Sequence, residues 1–375
     1  MNNETPEDDG FPPAVDSDDG IEKVDEAATP APTDFRWDVA AEDSELAPIP
    51  IGVPPIAATQ TIEQIGFETS PAPAASPEPP TSIRRNVILF VLTLATTSYW
   101  GFLQYQSFYL DDIGTLRYNP FAEPMLWAAG LPYGVAVIAF LAAHEMGHYI
   151  ACRYYGIQAS LPYFIPIPPI APILLPGTMG AVIRIKSPIT GRRALFDIAV
   201  AGPIAGFLSA MPLLAVGLGQ SRVINDDALG FGIGLGEPLI WGPLQMMFAP
   251  PVGPGQTLLA HPLAFVGWFA LLVTAMNLLP IGQLDGGHLL YAVTPRHHRK
   301  ISVILVVLML FAGYQYFSGW ILFALLILFA LGTKHPRPLS FEGPLGFWRQ
   351  LLLLAAILIL VTCFMLEPIR IDFPV

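Results

Sequence analysis

The sequence predicts an all-α membrane protein with about six to seven transmembrane helices, a short re-entrant or β-hairpin segment and a disordered N-terminal tail. Of its 375 residues, 53% are hydrophobic and only 13% are charged, and the mean hydropathy is +0.53. Soluble domains carry roughly 25% charged residues, so a water-soluble globule is disfavoured. Long uncharged apolar runs follow residue 84, and each approaches the ~20 residues that a bilayer helix needs.

The first 81 residues form a separate acidic region. They hold eighteen of the thirty Asp and Glu but only two of the eighteen Lys and Arg, a net charge of −16, whereas residues 82–375 carry +4. Fourteen prolines interrupt this region. Such a segment cannot bury enough apolar surface to offset its ordering entropy, so we expect a disordered cytoplasmic tail. The alternative to a plain solvated leader is a docking segment for an unknown partner.

Five uncharged runs each predict one transmembrane helix, and a sixth run predicts two. The sixth, residues 301–333, would be about 50 Å long as one helix, which exceeds the ~30 Å core of a bilayer. We therefore divide it at 313–319. With the tail cytoplasmic, thirteen basic residues lie in inside segments and three lie outside, as the positive-inside rule requires. The predicted spans are 86–102, 126–150, 194–217, 262–284, 301–314, 317–333 and 350–365, within a domain over 82–366 that precedes a short C-terminal tail over 367–375.

One uncharged stretch is not predicted to cross the membrane. Residues 161–176 contain six prolines, and each proline removes an N–H donor and clashes with the preceding turn. Irregular backbone at membrane depth is tolerated only inside protein or beside a wet cavity. We expect a re-entrant or interfacial loop that leads into a strand-like stretch at 178–186. That stretch would either clamp an extended peptide by strand addition or form a plain surface hairpin.

The second predicted span contains an H-E-x-x-H motif formed by His144, Glu145 and His148. Histidines four residues apart project from one face of a helix and can bind one metal ion, while the adjacent Glu can move protons. Ionisable side chains are costly in hydrocarbon. Three of them in one helical turn therefore favour a joint function over two core histidines beside a buried, paired Glu.

A catalytic zinc site usually has three protein ligands, so a further His, Asp or Glu is needed. The fourth span ends in the sequence NLLPIGQLDGG, which begins at Asn277. Its proline and glycines break the helix and let Asp285 turn inward. His288 is a competing ligand that we expect at the surface, beyond the glycines. Asp197, a few residues into the third span, is a weaker candidate for a functional acid within the membrane.

These motifs resemble those of the site-2 protease family of intramembrane zinc metalloproteases. The family is characterised by a membrane-embedded H-E-x-x-H and a later N-x-x-P followed by L-D-G, and both patterns are present. Supporting similarity comes from GTMGA at Gly177 and FDIAVAGP at Phe196, in which Gly202-Pro203 is expected to be a close helix-packing point. The resemblance covers roughly residues 84–366. Residues 220–261 are too few for an inserted PDZ domain.

The resemblance implies one zinc ion per chain, with His144, His148 and Asp285 as ligands and Glu145 as the general base. Asn277 would hold the substrate or the developing oxyanion, and an interhelical hydrogen bond is its alternative role. The implied partners are membrane-anchored protein substrates and the lipid bilayer, and not nucleic acid.

Two other functions, and two kinds of membrane, are compatible with parts of the sequence. A metal-ion or proton transporter could use the same buried side chains, but the sequence lacks the repeated halves typical of transporters. An inactive membrane scaffold is disfavoured because all four catalytic positions are present. Without a visible targeting signal, a bacterial inner membrane is expected, with a plastid membrane as the alternative.

Overall fold

The computed structural model describes residues 83–110, 128–168, 176–225, 232–333, 335–336, 338–341 and 343–372, which are mostly helical. All of them fall within one compact unit, Ala75–Val375. The acidic tail predicted over residues 1–81 lies outside the described residues, as do 169–175 of the proline-rich loop. The helices are α1 (Ile83–Leu110), α2 (Leu131–Tyr154), α3 (Arg192–Gly219), α4 (Trp241–Phe248), α5 (Pro262–Leu278), α6 (Asp285–Val293), α7 (His298–Gln315), α8 (Gly319–Leu326) and α9 (Phe347–Cys363).

Four described helices are long and apolar enough to cross a membrane, judged by length and composition. Three further apolar helices are shorter, with 10–17 residues each. The predicted count of six to seven spans is therefore not confirmed, although a helix lies at every predicted position. The four long segments are Ile83–Tyr109, Ala128–Tyr154, Arg192–Gly219 and His298–Gln315, and the shorter ones are Pro262–Leu278, Gly319–Phe329 and Phe347–Cys363.

The fourth predicted span, 262–284, is too long, because α5 ends at Leu278. Leu279 adopts an extended backbone immediately before Pro280, and a residue before proline is disfavoured in the helical region. A new helix, α6, then begins at Asp285. Within 301–333 the helix breaks where the sequence predicts a division, since α7 ends at Gln315 and α8 begins at Gly319; that each part crosses the membrane stays a prediction.

Short strands form three two-stranded antiparallel sheets among the described residues. The pair β1–β2 confirms the hairpin expected beside the proline-rich loop. The other two pairs correct the all-α prediction: they lie in the connection after α3 and in the C-terminal tail. The strands are β1 (Tyr163–Pro166), β2 (Thr178–Val182), β3 (Arg222–Asn225), β4 (Gly232–Leu235), β5 (Gln256–Leu259) and β6 (Ile369–Asp372), paired as β1–β2, β3–β5 and β4–β6.

Helices α2, α3 and α5 pack at the centre, and small residues bring them together. A Cβ on Gly147 of α2 would lie 2.5 Å from the carbonyl oxygen of Ala201 on α3, and a Cβ on Gly267 of α5 would lie 2.6 Å from the Leu214 side chain. Glycine at such positions lets helix backbones approach closely, and this packing replaces the hydrophobic driving force that lipid does not supply. The face of α2 that carries the H-E-x-x-H side chains is thereby covered by protein.

Candidate metal centre

The H-E-x-x-H side chains lie buried on α2. His144, Glu145 and His148 are 4%, 9% and 7% exposed, and the two imidazole ring centroids are 4.9 Å apart. This follows from helix geometry, because residues four apart are separated by little more than one turn of 3.6 residues. The two rings therefore face the same neighbouring elements.

Asp285 reaches the two histidines because the chain turns sharply between α5 and α6. Gly282 has a φ of +54°, and a Cβ there would lie 2.4 Å from the carbonyl oxygen of Gly332. Only glycine adopts this backbone without strain at such a close approach. After the turn, Asp285 is the first residue of α6, where the positive N-terminal end of the helix dipole favours a carboxylate.

The three predicted ligands form a nearly equilateral triangle. The Nε2 atoms of His144 and His148 are 3.2 Å apart, and Oδ2 of Asp285 lies 3.3 Å and 3.4 Å from them. A tetrahedral zinc ion with bonds of about 2.0–2.1 Å holds pairs of ligand atoms about 3.3–3.4 Å apart. Two imidazoles and one carboxylate thus fit a zinc ion in both chemistry and spacing, and this group could hold a metal ion.

The hydrogen bond of His148 leaves its Nε2 free for a metal. Its Nδ1 lies 2.7 Å from the carbonyl oxygen of Ile198. Because a carbonyl can only accept, Nδ1 donates the hydrogen and Nε2 keeps its lone pair, which is the tautomer of a metal-ligating histidine. The Nδ1 of His144 is buried and has no hydrogen-bond partner among the described residues.

Two glycines on α3 make room for the imidazoles. A Cβ on Gly202 would lie 2.1 Å from Nε2 of His148, and a Cβ on Gly206 would lie 2.9 Å from Nδ1 of His144. These glycines are four residues apart, like the histidines that they face. Gly202 was expected to be a close helix-packing point. It packs against α2 and also against the ring of the candidate ligand His148.

Glu145 lies beside the triangle without belonging to it. Its Oε2 accepts a hydrogen bond of 2.8 Å from the backbone N–H of Ile183, just after β2. Asn277, near the end of α5, approaches from another side, with Nδ2 3.3 Å from Nε2 of His144. The structure therefore brings all five sequence-predicted residues to one place.

Two other predicted candidates lie outside the triangle. His288 is half-buried rather than at the surface, and its Nδ1 lies 2.5 Å from Nε2 of His335. The surface prediction is wrong because α6 continues through the glycines and turns His288 into the protein. Asp197 pairs with the guanidinium of Arg349, with contacts of 2.8 Å and 2.7 Å.

Several residues that the sequence did not indicate support the turn before Asp285 and the helix that follows it. Ser302 accepts a hydrogen bond from the backbone N–H of Gly282, and His298 donates one to its carbonyl oxygen. Arg192, at the start of α3, donates to the carbonyl oxygens of Ala292 and Val293 at the end of α6. The sequence offered no signal for these contacts beyond the polar residue types themselves.

Comparisons with known proteins agree with this geometry. Residues 133–315 match the model of peptidase family M50. The chain is 30% identical to the probable zinc metalloprotease EGY1, chloroplastic, of Arabidopsis thaliana over 62% of this chain and 42% of that protein. It is 32% identical to the probable zinc metalloprotease EGY2, chloroplastic, of Oryza sativa subsp. indica over 47% of this chain and 32% of that protein.

The chain thus spans less than half the length of these relatives. No solved structure matches. The segment matched by the family model includes both histidines, Glu145, Asn277 and Asp285. The part of the chain that forms the metal centre therefore matches peptidase family M50, the site-2 protease family.

Proposed function

We propose that this protein is an intramembrane zinc metalloendopeptidase that cleaves the transmembrane segments of membrane-anchored proteins. The observation that carries the proposal is the triangle of His144, His148 and Asp285, with Glu145 on the same helix as the histidines. A metal site of this composition beside a buried carboxylate is the arrangement that peptide hydrolysis needs.

In this proposal the two histidines and Asp285 hold one zinc ion. When bound, zinc supplies a water whose pKa is lowered to about 7 and a Lewis acid for the scissile carbonyl. Glu145 takes a proton from the attacking water and passes it to the leaving amine. Burial suits this proton transfer, because few bulk water molecules compete for the carboxylate.

Asn277 is proposed to hold the substrate carbonyl or the developing oxyanion. The position of Nδ2, 3.3 Å from Nε2 of His144, supports this role because the amide lies at the centre itself. A purely structural hydrogen bond between α5 and α2 is the alternative. Removal of an oxyanion donor typically lowers kcat about 10²–10³-fold, so the variant Asn277→Ala separates the two roles.

The substrate is proposed to bind as an extended strand. Peptide bonds in a helix are shielded by their own hydrogen bonds, so a transmembrane substrate must unwind before water attacks, which favours substrates with Gly or Pro. Strand β2 lies next to Glu145 and exposes Met179 and Val182, at 66% and 50%. An extended peptide can add to such a strand.

The topology and the compartment belong to the same proposal. We propose seven membrane crossings, a cytoplasmic N-terminal tail over 1–81 and a protease domain over 82–366. The shorter apolar helices would cross with local thinning of the bilayer. The relatives are chloroplastic by name, which favours the plastid membrane over the bacterial inner membrane; in a plastid the tail would lie in the stroma, which corresponds to the bacterial cytoplasm. Fractionation of the source cells distinguishes the two.

The variant Glu145→Gln tests the function. We expect it to retain zinc and to lose cleavage of membrane proteins, measured by comparing membrane-protein fragments in cells that carry either version. Glu237→Gln is the matched control, because Glu237 is an exposed carboxylate away from the metal centre. Undiminished cleavage by Glu145→Gln would overturn the assignment. Metal flux into proteoliposomes that depends on Asp285 would instead identify a transporter.

A further inference from the structure

The backbone that follows β2 contacts the carboxylate proposed as general base. The N–H of Ile183 donates to Oε2 of Glu145 at 2.8 Å. The sequence could not predict this contact, because every residue except proline has a backbone N–H. A buried carboxylate usually receives such donors when its orientation matters to the site, since each fixed donor restricts rotation of the carboxylate.

The backbone stays extended after β2 and pairs with residues near Ala159, and this geometry directs the N–H of Ile183 toward Glu145. Arg184 and Lys186 form backbone hydrogen bonds with residues 158–160, on the edge away from α2. The N–H of Ser160 donates to the carbonyl oxygen of Arg184 at 2.9 Å, and the N–H of Lys186 donates to that of Gln158 at 2.8 Å. Successive backbone groups of a strand alternate between its two edges. The N–H of Ile183 must therefore lie on the edge that faces α2.

One hydrophobic cluster holds this strand edge and one candidate zinc ligand together. Ile183 packs against a cluster of buried residues that includes Cys152, Ala194 and Ile198. The carbonyl oxygen of Ile198 also accepts the hydrogen bond from Nδ1 of His148. The same packed group thus fixes two backbone atoms, one aimed at a metal ligand and one at the general base.

We propose that the backbone N–H of Ile183 is a positioning group for Glu145. It holds Oε2, which leaves Oε1 as the oxygen that takes the proton from water. This inference rests on the proposed protease function and deepens it. It also links the β1–β2 hairpin to the chemistry, since any shift of this hairpin moves the donor and releases the carboxylate.

Replacement of the amide by an ester tests the role in the full-length, zinc-loaded protein. The α-hydroxy analogue of isoleucine, incorporated at position 183, removes the N–H and keeps the side chain. The same analogue at position 185 is the matched control, because Ile185 lies on the same edge and no described residue accepts its N–H. The probe is a membrane protein whose fragment is present with native protein and absent with Glu145→Gln.

We expect the ester at 183 to lower kcat about 10–100-fold, the range typical of lost supporting hydrogen bonds, with KM and zinc content close to those of the native protein. The ester at 185 should change kcat less than about twofold, since it removes no bond to Glu145. Equal kcat for the two esters would overturn the proposal. A parallel rise in KM, or loss of zinc at 183 alone, would assign a merely structural role.

Hydrogen exchange provides a second test that needs no substrate. In the native protein the amide of Ile183 should exchange slowly, and Glu145→Ala should accelerate its exchange at least about tenfold, since that acceptor is lost. Glu237→Ala should leave it unchanged. Unchanged exchange in Glu145→Ala would overturn the hydrogen bond itself. Because this result does not depend on cleavage, failure of the positioning role is distinguishable from failure of the protease function.

Discussion

Gly202 on α3 lies directly against the ring of His148: a Cβ at this position would be 2.1 Å from the Nε2 atom that faces the candidate metal position. No real carbon atom approaches a nitrogen so closely without displacing it. The imidazole cannot move far, because its Nδ1 donates a hydrogen bond to the carbonyl oxygen of Ile198. The shape of α3 therefore determines where this ligand atom lies.

We predict that Gly202→Ala weakens zinc binding about 10–100-fold, the range that supporting contacts typically provide, because the new methyl group displaces His148. Competition with a fluorescent zinc chelator measures the change. Gly242→Ala on α4 is the control, since a Cβ there meets nothing within 4 Å. Equal zinc affinity for both variants would show that the helices separate at little cost and that the glycine is not required.

The third ligand can be distinguished from its neighbour on α6. We expect Asp285→Asn to lose zinc at neutral pH, because an amide oxygen is a much weaker zinc ligand than a carboxylate. His288→Gln should keep one zinc per chain, since His288 lies outside the ligand triangle. Metal analysis of the purified proteins measures both. Zinc loss from His288→Gln with retention in Asp285→Asn would reverse the assignment.

Arg192 supports Asp285 from the far end of α6. Its guanidinium donates to the carbonyl oxygens of Ala292 and Val293, and its planar fork makes bonds that an ammonium cannot reproduce together. We predict that Arg192→Lys releases zinc to a chelator severalfold faster than the native protein. Arg193→Lys is the control, because the neighbouring arginine contacts only Pro344 among the hydrogen bonds resolved here.

If the two variants release zinc at the same rate, the C-terminal end of α6 does not control the position of Asp285. A thermal unfolding measurement separates a local effect from a global one. We expect the melting temperature of Arg192→Lys to fall by only a few degrees, since a charged hydrogen bond contributes about 1.5–3 kcal/mol.

Low pH should weaken the packing of the His335 ring against Tyr291. The ring of His335 stacks on Tyr291 at 4.1 Å and lies near His288 and His298. Burial, and then the neighbouring His288, lower the pKa of His335 from 6.5 to about 4. Protonation of His335 therefore favours the state in which its ring has left Tyr291 and is exposed to water. The contact between the two rings is fully stable above about pH 6.5 and weakens as the pH falls toward 4.

We expect limited proteolysis near residues 338–341 to be faster at pH 5 than at pH 7.5, with a protease that is active at both values. His335→Phe keeps the ring stacking but cannot titrate, so its cleavage rate should change much less over this interval. The same pH dependence in native protein and His335→Phe would show that another group controls the segment.

The sequence predicts the metal centre well where the determinants are local. His144 and His148 share a face because of helix periodicity alone, and the turn at Asp285 follows from Pro280 and the glycines. The end of α5 was misplaced because apolar composition continues past the residue where Pro280 ends the helix. Composition measures affinity for lipid, whereas the end of a helix is set by backbone geometry.

The remaining features depend on contacts between distant segments. Ile183 and Ile198 act through backbone atoms, and their side chains give no indication of this. Strands β3 to β6 contain four residues each, too few for an alternating pattern to stand out. The mostly helical character was therefore predictable, and the atoms that orient the ligands were not.

Leu279, Ile281 and Leu284 of the turn before Asp285 pack with α7 and α8 in one hydrophobic cluster. The histidine helix belongs to a different cluster, built with α3 and α5. The turn thus packs mainly with α7 and α8, whereas α6, which carries Asp285, packs through Leu289 and Ala292 in the cluster of the histidine helix. A divalent ion bonded to His144, His148 and Asp285 would hold the end of this turn against the histidine helix, so loss of the metal should loosen the turn before it loosens the helices.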